Sequence, residues 1–425
     1  MVRYVLVRRQ FAFLKACFFA FFNETMTKSI INELLHKETW MSFLEEKDRF
    51  HRLNNKEKKA IKEIVETGLY KTMTMAILDN DYTFSTAKKM ILNKEMVDKK
   101  RIVYCYNLQE QLWLKVLARK MRVYSNAVCA NCFSGSANGG SKKAFQHIIN
   151  DKDLHTKYAY KIDIKNYFNT IDTDLIVALL KESIDDEVLI TLVEQLLRNP
   201  DVIYRDEIIQ EKKGIMAGTP LSSFLANLYL KEMDNYFLEN NLTYARYADD
   251  IIVFAYKDQL QNIIKVIDEY LSKYKLELNH DKTKIIEPKE SFDFLGFNYN
   301  NGVIDLSQAT ITKTKKKIRR AARSLYRAKH KKNYSTEKVI TLMIKKFNRK
   351  FFLVQQETEL NWTLWYYPVI NTSASLQVID KYLQSYFRFL NDGSHTKKNY
   401  KDINYAMLKK IGYKTLIGEY YKYKK

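Results

Sequence analysis

The change in hydrophobic pattern near residue 307 is the feature that most constrains the fold of this chain. Between residues 158 and 300, short apolar strands alternate with helices, and two adjacent strands are separated only by Ala248, Asp249 and Asp250. Such spacing predicts a β-hairpin. After residue 307, apolar residues recur at helical spacing. The pattern therefore predicts an α+β region, with an antiparallel sheet covered by helices on one face, followed by an all-helical region.

The remaining elements are predicted from periodicity and from turn and capping residues. A glycine-rich stretch at 131–141 is interpreted as a turn where the backbone approaches a neighbour closely, with a plain surface loop as the alternative. The predicted order is a helical lead-in over 30–92, a strand at 101–106, a helix at 109–122, a strand at 158–168, helices at 174–183 and 187–198, one long helix at 220–239 capped by Thr219, strands at 244–247 and 251–256, a helix at 258–274, and short strands at 276–278, 284–287 and 292–299.

Positive charge is concentrated in the last part of the chain. The formal net charge is +22, and residues 301–425 hold 27 Lys and Arg against 8 Asp and Glu, whereas residues 1–300 hold 44 against 41. Residues 311–350 carry 16 basic residues and one acid, Glu337, around an apolar stripe of helical spacing. Such a local field favours a polyanion, either nucleic acid or an anionic membrane face, with a solvated surface as the alternative.

Length and composition indicate a globular chain of two or three domains. Among 425 residues there are only 11 Gly and 4 Pro, which argues against long flexible linkers. The four cysteines do not form a disulfide framework, and Cys129 and Cys132 do not complete a zinc motif, so we interpret these two as buried thiols and a reducing cytosol as the default compartment. Residues 1–25 are either a misassigned upstream start or a hydrophobic packing arm.

Three carboxylates are candidates for metal-dependent chemistry. Asp249 and Asp250 lie at a predicted hairpin tip, where acids are most often simple turn residues. Asp163, however, lies within a predicted strand, where a buried and unpaired carboxylate would cost several kcal/mol. One acid on a strand and two on a neighbouring hairpin are what two Mg²⁺ ions need to promote an in-line phosphoryl displacement.

With these residues in place, the sequence resembles the reverse transcriptases. Five motifs occur in the order and at the spacing of that family over about 200 residues. They are Asp163 with Phe168 five positions later, Gly214-Ile-Met-Ala-Gly-Thr-Pro-Leu-Ser-Ser-Phe-Leu-Ala-Asn-Leu-Tyr-Leu230, Tyr247-Ala-Asp-Asp250, Leu278-Asn-His-Asp-Lys-Thr283 and Phe292-Asp-Phe-Leu-Gly-Phe297. The resemblance implies a right-hand polymerase fold, with fingers and palm followed by a helical thumb, and RNA-directed DNA polymerase activity.

The resemblance also implies roles for the residues of the palm. Asp163 and Asp249 would bind two Mg²⁺ ions, with Asp250 completing the site and the Ile164 carbonyl as a further ligand. Phe168 resembles a steric gate that excludes the 2′-hydroxyl of a ribonucleotide. A core position at a strand end is the alternative for this ring.

Further residues are implied to contact the nucleotide. Gly218 and Thr219 would lie against the template–nucleotide pair, and Lys99, Lys100 or Arg101 would contact the triphosphate. Lys282 occupies the position of a lysine near the leaving pyrophosphate, where it could act as a general acid. An ordinary solvated lysine is the alternative for that residue.

The later regions would hold the primer and the duplex. Phe294, Leu295 and Gly296 would form the primer grip. The nucleic-acid contacts predicted in the thumb are Lys315, Lys316, Lys317, Arg319, Arg320 and Arg323. The predicted domains are an uncertain extension at 1–25, N-terminal helices and fingers at 26–157, palm at 158–300, thumb at 301–355 and a helical C-terminal region at 356–425.

The subgroup follows from departures from the common pattern. Met216, Ala217 and Gly218 stand where many relatives have Pro-Gln-Gly, and the C-terminal pattern resembles the bacterial "unknown group" enzymes of anti-phage defence. This resemblance implies a bacterial cytoplasmic enzyme with dNTPs, a dedicated non-coding RNA template, a cDNA product, an oligomer or accessory defence protein as partner, and no membrane. The alternatives are a retron-like or group II intron-like enzyme, an RNA-templated RNA polymerase, which Phe168 disfavours, and a non-catalytic RNA-binding protein.

Overall fold

The computed structural model describes residues 29–49, 52–93, 100–135, 139–352 and 365–425. The chain divides into two compact units, one of Met1–Gly140 and Tyr160–Lys284 and one of Ser141–Ala159 and Ile285–Lys425. The predictions for residues 1–25 and for Lys99 lie outside the described residues. Within these ranges, no helix combines the length and the apolar character needed to cross a membrane.

The first unit begins with a helical region and continues with mixed helices and strands. Its helices are α1 (Lys37–Arg49), α2 (Asn55–Glu66), α3 (Leu69–Leu78), α4 (Leu108–Lys120), α6 (Tyr167–Thr170), α7 (Thr173–Ser183), α8 (Glu187–Arg198), α9 (Ser222–Tyr229), α10 (Lys231–Glu239) and α11 (Lys257–Lys273). Its strands are β1 (Ala87–Asn93), β2 (Lys100–Cys105), β3 (Tyr158–Asp163), β4 (Asp201–Tyr204), β5 (Glu207–Gln210), β6 (Thr243–Tyr247), β7 (Asp250–Ala255) and β8 (Lys284–Ile286), of which β3 and β8 cross the boundary between the units.

These strands form two four-stranded sheets. One has the order β2-β1-β4-β5, and the other has the order β6-β7-β3-β8. In the first sheet, β1 is antiparallel to β2, with Ile91 opposite Ile102, and parallel to β4, with Ala87 opposite Val202. In the second sheet, β6 and β7 form an antiparallel hairpin.

Side-chain caps explain why α7 and α8 begin where the pattern predicts. Asp172 accepts hydrogen bonds from the backbone amides of Asp174 and Leu175, which fixes the start of α7. Asp186 accepts the amide of Leu189 at 2.9 Å in the same way. The second oxygen of Asp186 accepts the Ser29 hydroxyl at 3.1 Å, so this buried acid also holds the N-terminal segment.

The second unit consists of a small sheet and a series of helices. Its strands β9 (Phe292–Phe294), β10 (Phe297–Asn300) and β11 (Val303–Leu306) form a sheet in the order β11-β10-β9. Its helices are α5 (Gly140–Ile149), which begins at the last residue of the first unit, α12 (Gln308–Lys331), α13 (Thr336–Phe352), α14 (Ala374–Asp392), α15 (Lys398–Asp402), α16 (Tyr405–Lys410) and α17 (Leu416–Lys424). The α+β class with a helical C-terminal region is thus confirmed over the described residues.

The basic helices bury the apolar stripes that the sequence predicts. On α12, Ile318 and Ala322 are fully buried, and on α13, Met343 and Phe347 are buried. The Lys and Arg residues of α12 lie mainly on its exposed faces. This division is expected of an amphipathic helix that packs on one side only.

Two predicted boundaries in the first half of the chain are wrong. The helical lead-in over 30–92 ends at Leu78, because residues from Ala87 form a strand that pairs on both sides. The strand predicted at 158–168 ends at Asp163, because Asn166 adopts a left-handed conformation with φ of 49°. Phe168 therefore lies on the short helix α6 and not at a strand end.

Other predictions differ in the number of elements. The single helix at 220–239 starts at Ser222 and is divided at the fully buried Leu230, whose φ of −107° and ψ of 18° leave the helical region. Thr219 does not cap it, since its hydroxyl donates to the Met216 carbonyl at 3.0 Å. Among the described residues, three sheets occur in place of the one predicted, and the β4–β5 hairpin and β11 lack any predicted counterpart.

Candidate active site

The three acids selected from the sequence lie at the ends of neighbouring strands. Asp163 is the last residue of β3, and Asp250 is the first residue of β7, which lies beside β3 in the sheet. Tyr247 and Asp250 are opposite each other in the hairpin, so Ala248 and Asp249 form a two-residue turn. Ala248 adopts φ of 57°, which such turns require.

Asp163 is a buried carboxylate whose charge is compensated. Its side chain is 8% exposed, and it accepts hydrogen bonds from Lys282 Nζ at 2.5 Å and from Asn279 Nδ2 at 2.9 Å. The Asn279 amide also donates to the Asp163 carbonyl at 2.8 Å. The segment that follows α11 thus brings Lys282 directly to Asp163. Asn279 is a contact that sequence reasoning did not assign.

Negative charge converges at the ends of these strands. Burial raises the pKa of Asp250, and the charges of Asp249 and Asp163 raise it further, against the opposing effect of Lys161 and Lys282. A carboxyl group whose pKa is raised by two neighbouring acids is one that a bound cation would stabilise in its charged form.

The donor set fits a divalent cation in chemical type. Carboxylate oxygens are the ligands that Mg²⁺ prefers. Within the described ranges, no group of three or more His, Cys, Asp or Glu residues is already arranged as a metal site, and Lys282 and Asn279 contact both oxygens of Asp163. Each Asp163 oxygen accepts one of these hydrogen bonds and keeps a second lone pair that a cation could use.

The Ile164 carbonyl, predicted as a further ligand, follows β3 directly. Ile164 forms an isolated antiparallel bridge with Leu278. The bridging hydrogen bonds are Lys165 N–H to Glu277 O at 2.9 Å and Asn279 N–H to Asp163 O at 2.8 Å. The bridge therefore does not use the Ile164 carbonyl.

The predicted gate, Phe168, is held mainly through its backbone. Its carbonyl accepts the Ile215 amide at 2.9 Å, and its half-buried ring packs edge-to-face on Tyr167 with centroids 5.7 Å apart. Gly214, with φ of 55°, lies so close that a Cβ there would be 2.4 Å from the Phe168 carbonyl oxygen. The structure thus allows only glycine beside Phe168 at this position.

The turn at 216–219 presents one of the two predicted nucleotide contacts. Gly218 is exposed and has φ of 101°, and a Cβ there would be 3.0 Å from the Val103 side chain. Gln111 Nε2 donates to the Gly218 carbonyl at 3.3 Å. Thr219 is buried and its hydroxyl bonds within the turn. Arg101, on β2, is exposed.

The predicted primer grip forms a tight turn in the second unit. Phe294 ends β9 and is buried, while Leu295 and Gly296 have φ of 49° and 94°. The Gly296 carbonyl accepts the Thr310 hydroxyl at 2.9 Å. The turn between β9 and β10 is therefore fastened to the first turn of α12.

The predicted thumb contacts form a cationic surface on α12. Lys317, Arg319, Arg320 and Arg323 are exposed, and Lys315 and Lys316 are partly exposed. Burial, together with the charges of Lys317 and Lys346, lowers the pKa of Lys350 on α13 to about 8. These helices therefore carry a density of positive charge that an anion would relieve.

A buried ion pair behind the hairpin was missed by sequence reasoning. Arg246 and Asp234 are both fully buried, and Arg246 Nε donates to Asp234 at 2.8 Å. The guanidinium also donates to the carbonyls of Ala226 at 3.3 Å, Asn227 at 2.9 Å and Ala248 at 3.5 Å. The sequence did contain a signal for a buried charge at this place, namely an arginine among the apolar residues of a predicted strand.

The same network extends to the gate and to the glycine-rich loop. The Tyr167 hydroxyl donates to the Ala226 carbonyl at 2.6 Å, and the Phe133 amide donates to the Arg246 carbonyl at 2.8 Å. Cys129, just before this loop, and Cys132, within it, are buried and form no disulfide, as predicted. The loop therefore packs as a backbone neighbour of β6.

Comparison with known proteins places this site in a recognised domain. The reverse transcriptase (RNA-dependent DNA polymerase) family pattern matches residues 91–299. The COX1/OXI3 intron 2 protein of Saccharomyces cerevisiae is 23% identical over 248 residues, 43% of this chain and 29% of that protein, and Protein YkfC of Escherichia coli is 27% identical over 173 residues, 32% of this chain and 44% of that protein. Among solved structures, telomerase from Candida tropicalis matches with 12% identity and a TM-score of 0.45, over 77% of this chain and 58% of that chain. The chain spans less than half the length of the relatives it matches.

Proposed function

This chain belongs to the reverse transcriptase family, and from that premise we propose that it is an RNA-directed DNA polymerase that extends a primer with dNTPs. The observation that carries the proposal is the convergence of Asp163, Asp249 and Asp250 at the ends of neighbouring strands. Nucleotidyl transfer needs such a cluster because the reaction develops negative charge on phosphate and hydroxyl oxygens.

Asp163, Asp249 and Asp250, with the Ile164 carbonyl, would hold two Mg²⁺ ions, which supply activation of the primer hydroxyl and neutralisation of the triphosphate. The chain itself orients these acids through the two-residue turn at Ala248 and through the contacts of Asp163 with Asn279. Lys282 has its ammonium group at the same point and is suited to donate a proton to the leaving pyrophosphate.

The residues around the gate would position the nucleotide. Phe168 would exclude a 2′-hydroxyl by contact with the sugar, and Gly218 would offer exposed backbone to the template–nucleotide pair. Lys99 or Arg101 would contact the triphosphate. We assign the N-terminal helices and fingers to residues 26–157, the palm to 158–300 and the thumb to 301–355, with the primer grip at 294–296.

We further propose that the enzyme copies a dedicated non-coding RNA in bacterial anti-phage defence, in the cytoplasm. Ala217 in place of the usual glutamine and the Tyr-rich helical C-terminal region support this subgroup. An intron-like reverse transcriptase is the second candidate, and similarity to a yeast intron protein favours it. Sequencing the RNA and DNA that co-purify with the protein separates the two, since defence predicts one discrete RNA with its cDNA.

Primer extension on an RNA template tests the catalytic proposal. Wild type should incorporate dNTPs in the presence of Mg²⁺, and Asp249→Ala with Asp250→Ala should reduce the rate by about 100-fold or more. Binding of the RNA template should be unchanged in the same variant. Equal incorporation by both proteins would contradict the metal assignment, and no incorporation by either would favour a non-catalytic RNA-binding protein.

A further inference from the structure

A cavity of about 370 Å³ in the first unit has a cationic rim and an apolar floor. Its floor includes Phe43, Leu53, Met121 and Phe224, of which the first three are buried. We refer to this cavity, with the rim described next, as the basic pocket. None of its lining residues is among the predicted catalytic residues.

The rim carries five cations. Arg119 and Arg122 share a single carboxylate, Glu46, at 2.6 and 3.5 Å, and Lys47 lies 4.0 Å from the same group. Lys115 pairs with Glu57 at 2.5 Å, and Arg52 completes the rim. Four cations therefore share two carboxylates.

These cations are held close together in a partly dry environment. The side chains of Lys47, Lys115 and Arg119 are 19%, 32% and 20% exposed. Burial lowers the pKa of Lys47, and the charges of Arg52, Arg122 and Arg119 lower it further, against the opposing effect of Glu46. Because burial and neighbouring cations disfavour the charged form of Lys47, the basic pocket favours the binding of an anion.

Part of the basic pocket lies outside the matched family domain. Phe43, Lys47, Arg52 and Leu53 precede residue 91, where the reverse transcriptase match begins. Helices α1 and α4 and the start of α9 bring these residues together with those of the domain. The pocket is therefore formed jointly by the N-terminal helices and the matched domain.

The combination of an apolar floor and a cationic rim defines the ligand chemistry. Single-stranded nucleic acid binds to sites where bases contact apolar or aromatic side chains and phosphates contact Lys and Arg. The volume is within the range of about 300–1,000 Å³ that ordinary ligand pockets span, which suits an unpaired nucleotide and excludes a duplex. We propose that the basic pocket binds an unpaired nucleotide segment of the RNA template or of the DNA product.

The choice of nucleic acid as the polyanion rests on the proposed function, so the test uses binding and not catalysis. Full-length Asp249→Ala/Asp250→Ala protein is titrated against fluorescein-labelled oligo(U) RNA and oligo(dT) DNA, with and without Arg52→Gln and Arg122→Gln. The matched control, Lys59→Gln with Lys62→Gln, removes the same charge from exposed positions of α2.

The rim variant, which carries Arg52→Gln and Arg122→Gln, should bind the single strand at least about five-fold more weakly than the control. Its plot of log affinity against log salt should flatten by about 1.4, since each single-strand phosphate contact contributes about 0.7. A loss confined to oligo(U) assigns the pocket to the template, and a loss confined to oligo(dT) assigns it to the product. An oligo-glutamate peptide is titrated in the same way as a non-nucleic polyanion. Equal affinity of the rim variant and the control for the single strands, or a loss of affinity seen only for the peptide, overturns the proposal.

Cross-linking of wild-type protein provides a second measurement that does not depend on the folding of a variant. A 4-thiouridine oligonucleotide irradiated in the complex should attach to peptides that contain Phe224 or Met121. Attachment elsewhere only would contradict the assignment. Both measurements hold whether or not the protein incorporates dNTPs, so failure of this inference and failure of the proposed catalytic function are distinguishable.

Discussion

The guanidinium group of Arg246 donates a hydrogen bond to the carbonyl of Ala248, the residue that precedes Asp249. Because Arg246 is fully buried and paired with Asp234, this contact anchors the acidic turn to the interior of the first unit. The turn therefore depends on a buried charge for its position. The motif residues from Tyr247 to Asp250 are only partly exposed, and the charge that supports them lies beneath them.

Replacing Arg246 by Met should destabilise the protein by about 3–5 kcal/mol, since Asp234 would be left buried without a partner. Urea unfolding measures this change. The double variant Arg246→Met with Asp234→Leu should recover most of the stability, because apolar pairs replace buried ion pairs well. The dNTP incorporation rate of the double variant should stay low if Arg246 positions Asp249. Recovery of both stability and incorporation rate would show that the role of Arg246 is structural only.

The raised pKa of Asp250 predicts a dependence of stability on pH and on cations. In the folded state this acid binds its proton more tightly than in the unfolded state. Its unfavourable contribution to stability therefore grows as the pH rises from its pKa in the unfolded chain through its pKa in the folded protein. Asp250→Asn should therefore be more stable than wild type at pH 7 without divalent ions. This advantage should disappear at pH values below the pKa of Asp250 in the unfolded chain. Thermal unfolding against pH measures the difference.

Mg²⁺ should reverse this order of stability. A cation that binds only the folded state raises its stability by mass action, so wild type should gain thermal stability on Mg²⁺ addition and Asp250→Asn should gain less. Ca²⁺ serves as a comparison ion with the same charge. Equal stabilisation of both proteins would contradict a role for Asp250 in the site.

Lys282 is expected to act in catalysis as well as in its ion pair with Asp163. Lys282→Met should lower kcat by about 10²- to 10⁴-fold if the ammonium group donates a proton, with a smaller effect on KM. Lys282→Arg keeps a cation beside Asp163 but cannot readily release a proton. Single-turnover extension should therefore remain slow in the arginine variant, and restoration of the rate by arginine would support a purely electrostatic role.

Phe168→Ala should relax the choice between dNTP and NTP. Removal of the ring opens space for a 2′-hydroxyl, so discrimination should fall by about 10- to 200-fold. The ratio of kcat/KM values for matched nucleotides measures it. Tyr167→Phe, which removes a buried hydroxyl next to the gate, is the control, and a wild type that already prefers NTPs would exclude the gate role.

The cations of α12 should determine the salt dependence of duplex binding. Neutralising Lys315, Lys316, Lys317, Arg319 and Arg320 to Gln should flatten the plot of log affinity against log salt by up to about 4.5, at about 0.9 for each phosphate contact. The control removes the same charge from exposed positions of the first unit, namely Lys59, Lys62, Lys71, Lys181 and Lys265. An equal effect of both sets would show that α12 is not a specific contact surface.

Local sequence patterns were sufficient to select the candidate acids and most of the elements. Asp249 and Asp250 were found because a hairpin needs only a short stretch of chain, and Asp163 because a charged residue within an apolar strand is conspicuous. The boundaries of α7 and α8 were predicted to within one residue from helical periodicity, which is a local signal.

Contacts between distant segments could not be predicted in the same way. The strand character of β1 comes from pairing with β2 and β4, and a helical period in its sequence gave no sign of it. The partner of Arg246 lies twelve residues earlier on a helix, and nothing in the spacing identifies Asp234. The left-handed turn at Asn166, which moved Phe168 onto a helix, depends on contacts with residues 277 and 215.

The parallel pairing of β1 with β4 has a consequence for synthesis on the ribosome. Residues 87 and 88 can pair with residues 202 and 203 only after these have been translated, more than a hundred residues later. At about 5–20 residues per second, that interval lasts on the order of 5–20 seconds. During this time the edge of the β1–β2 hairpin has no partner from β4. The nascent chain therefore passes through a stage in which shielding by the ribosome or a chaperone would limit edge-to-edge aggregation.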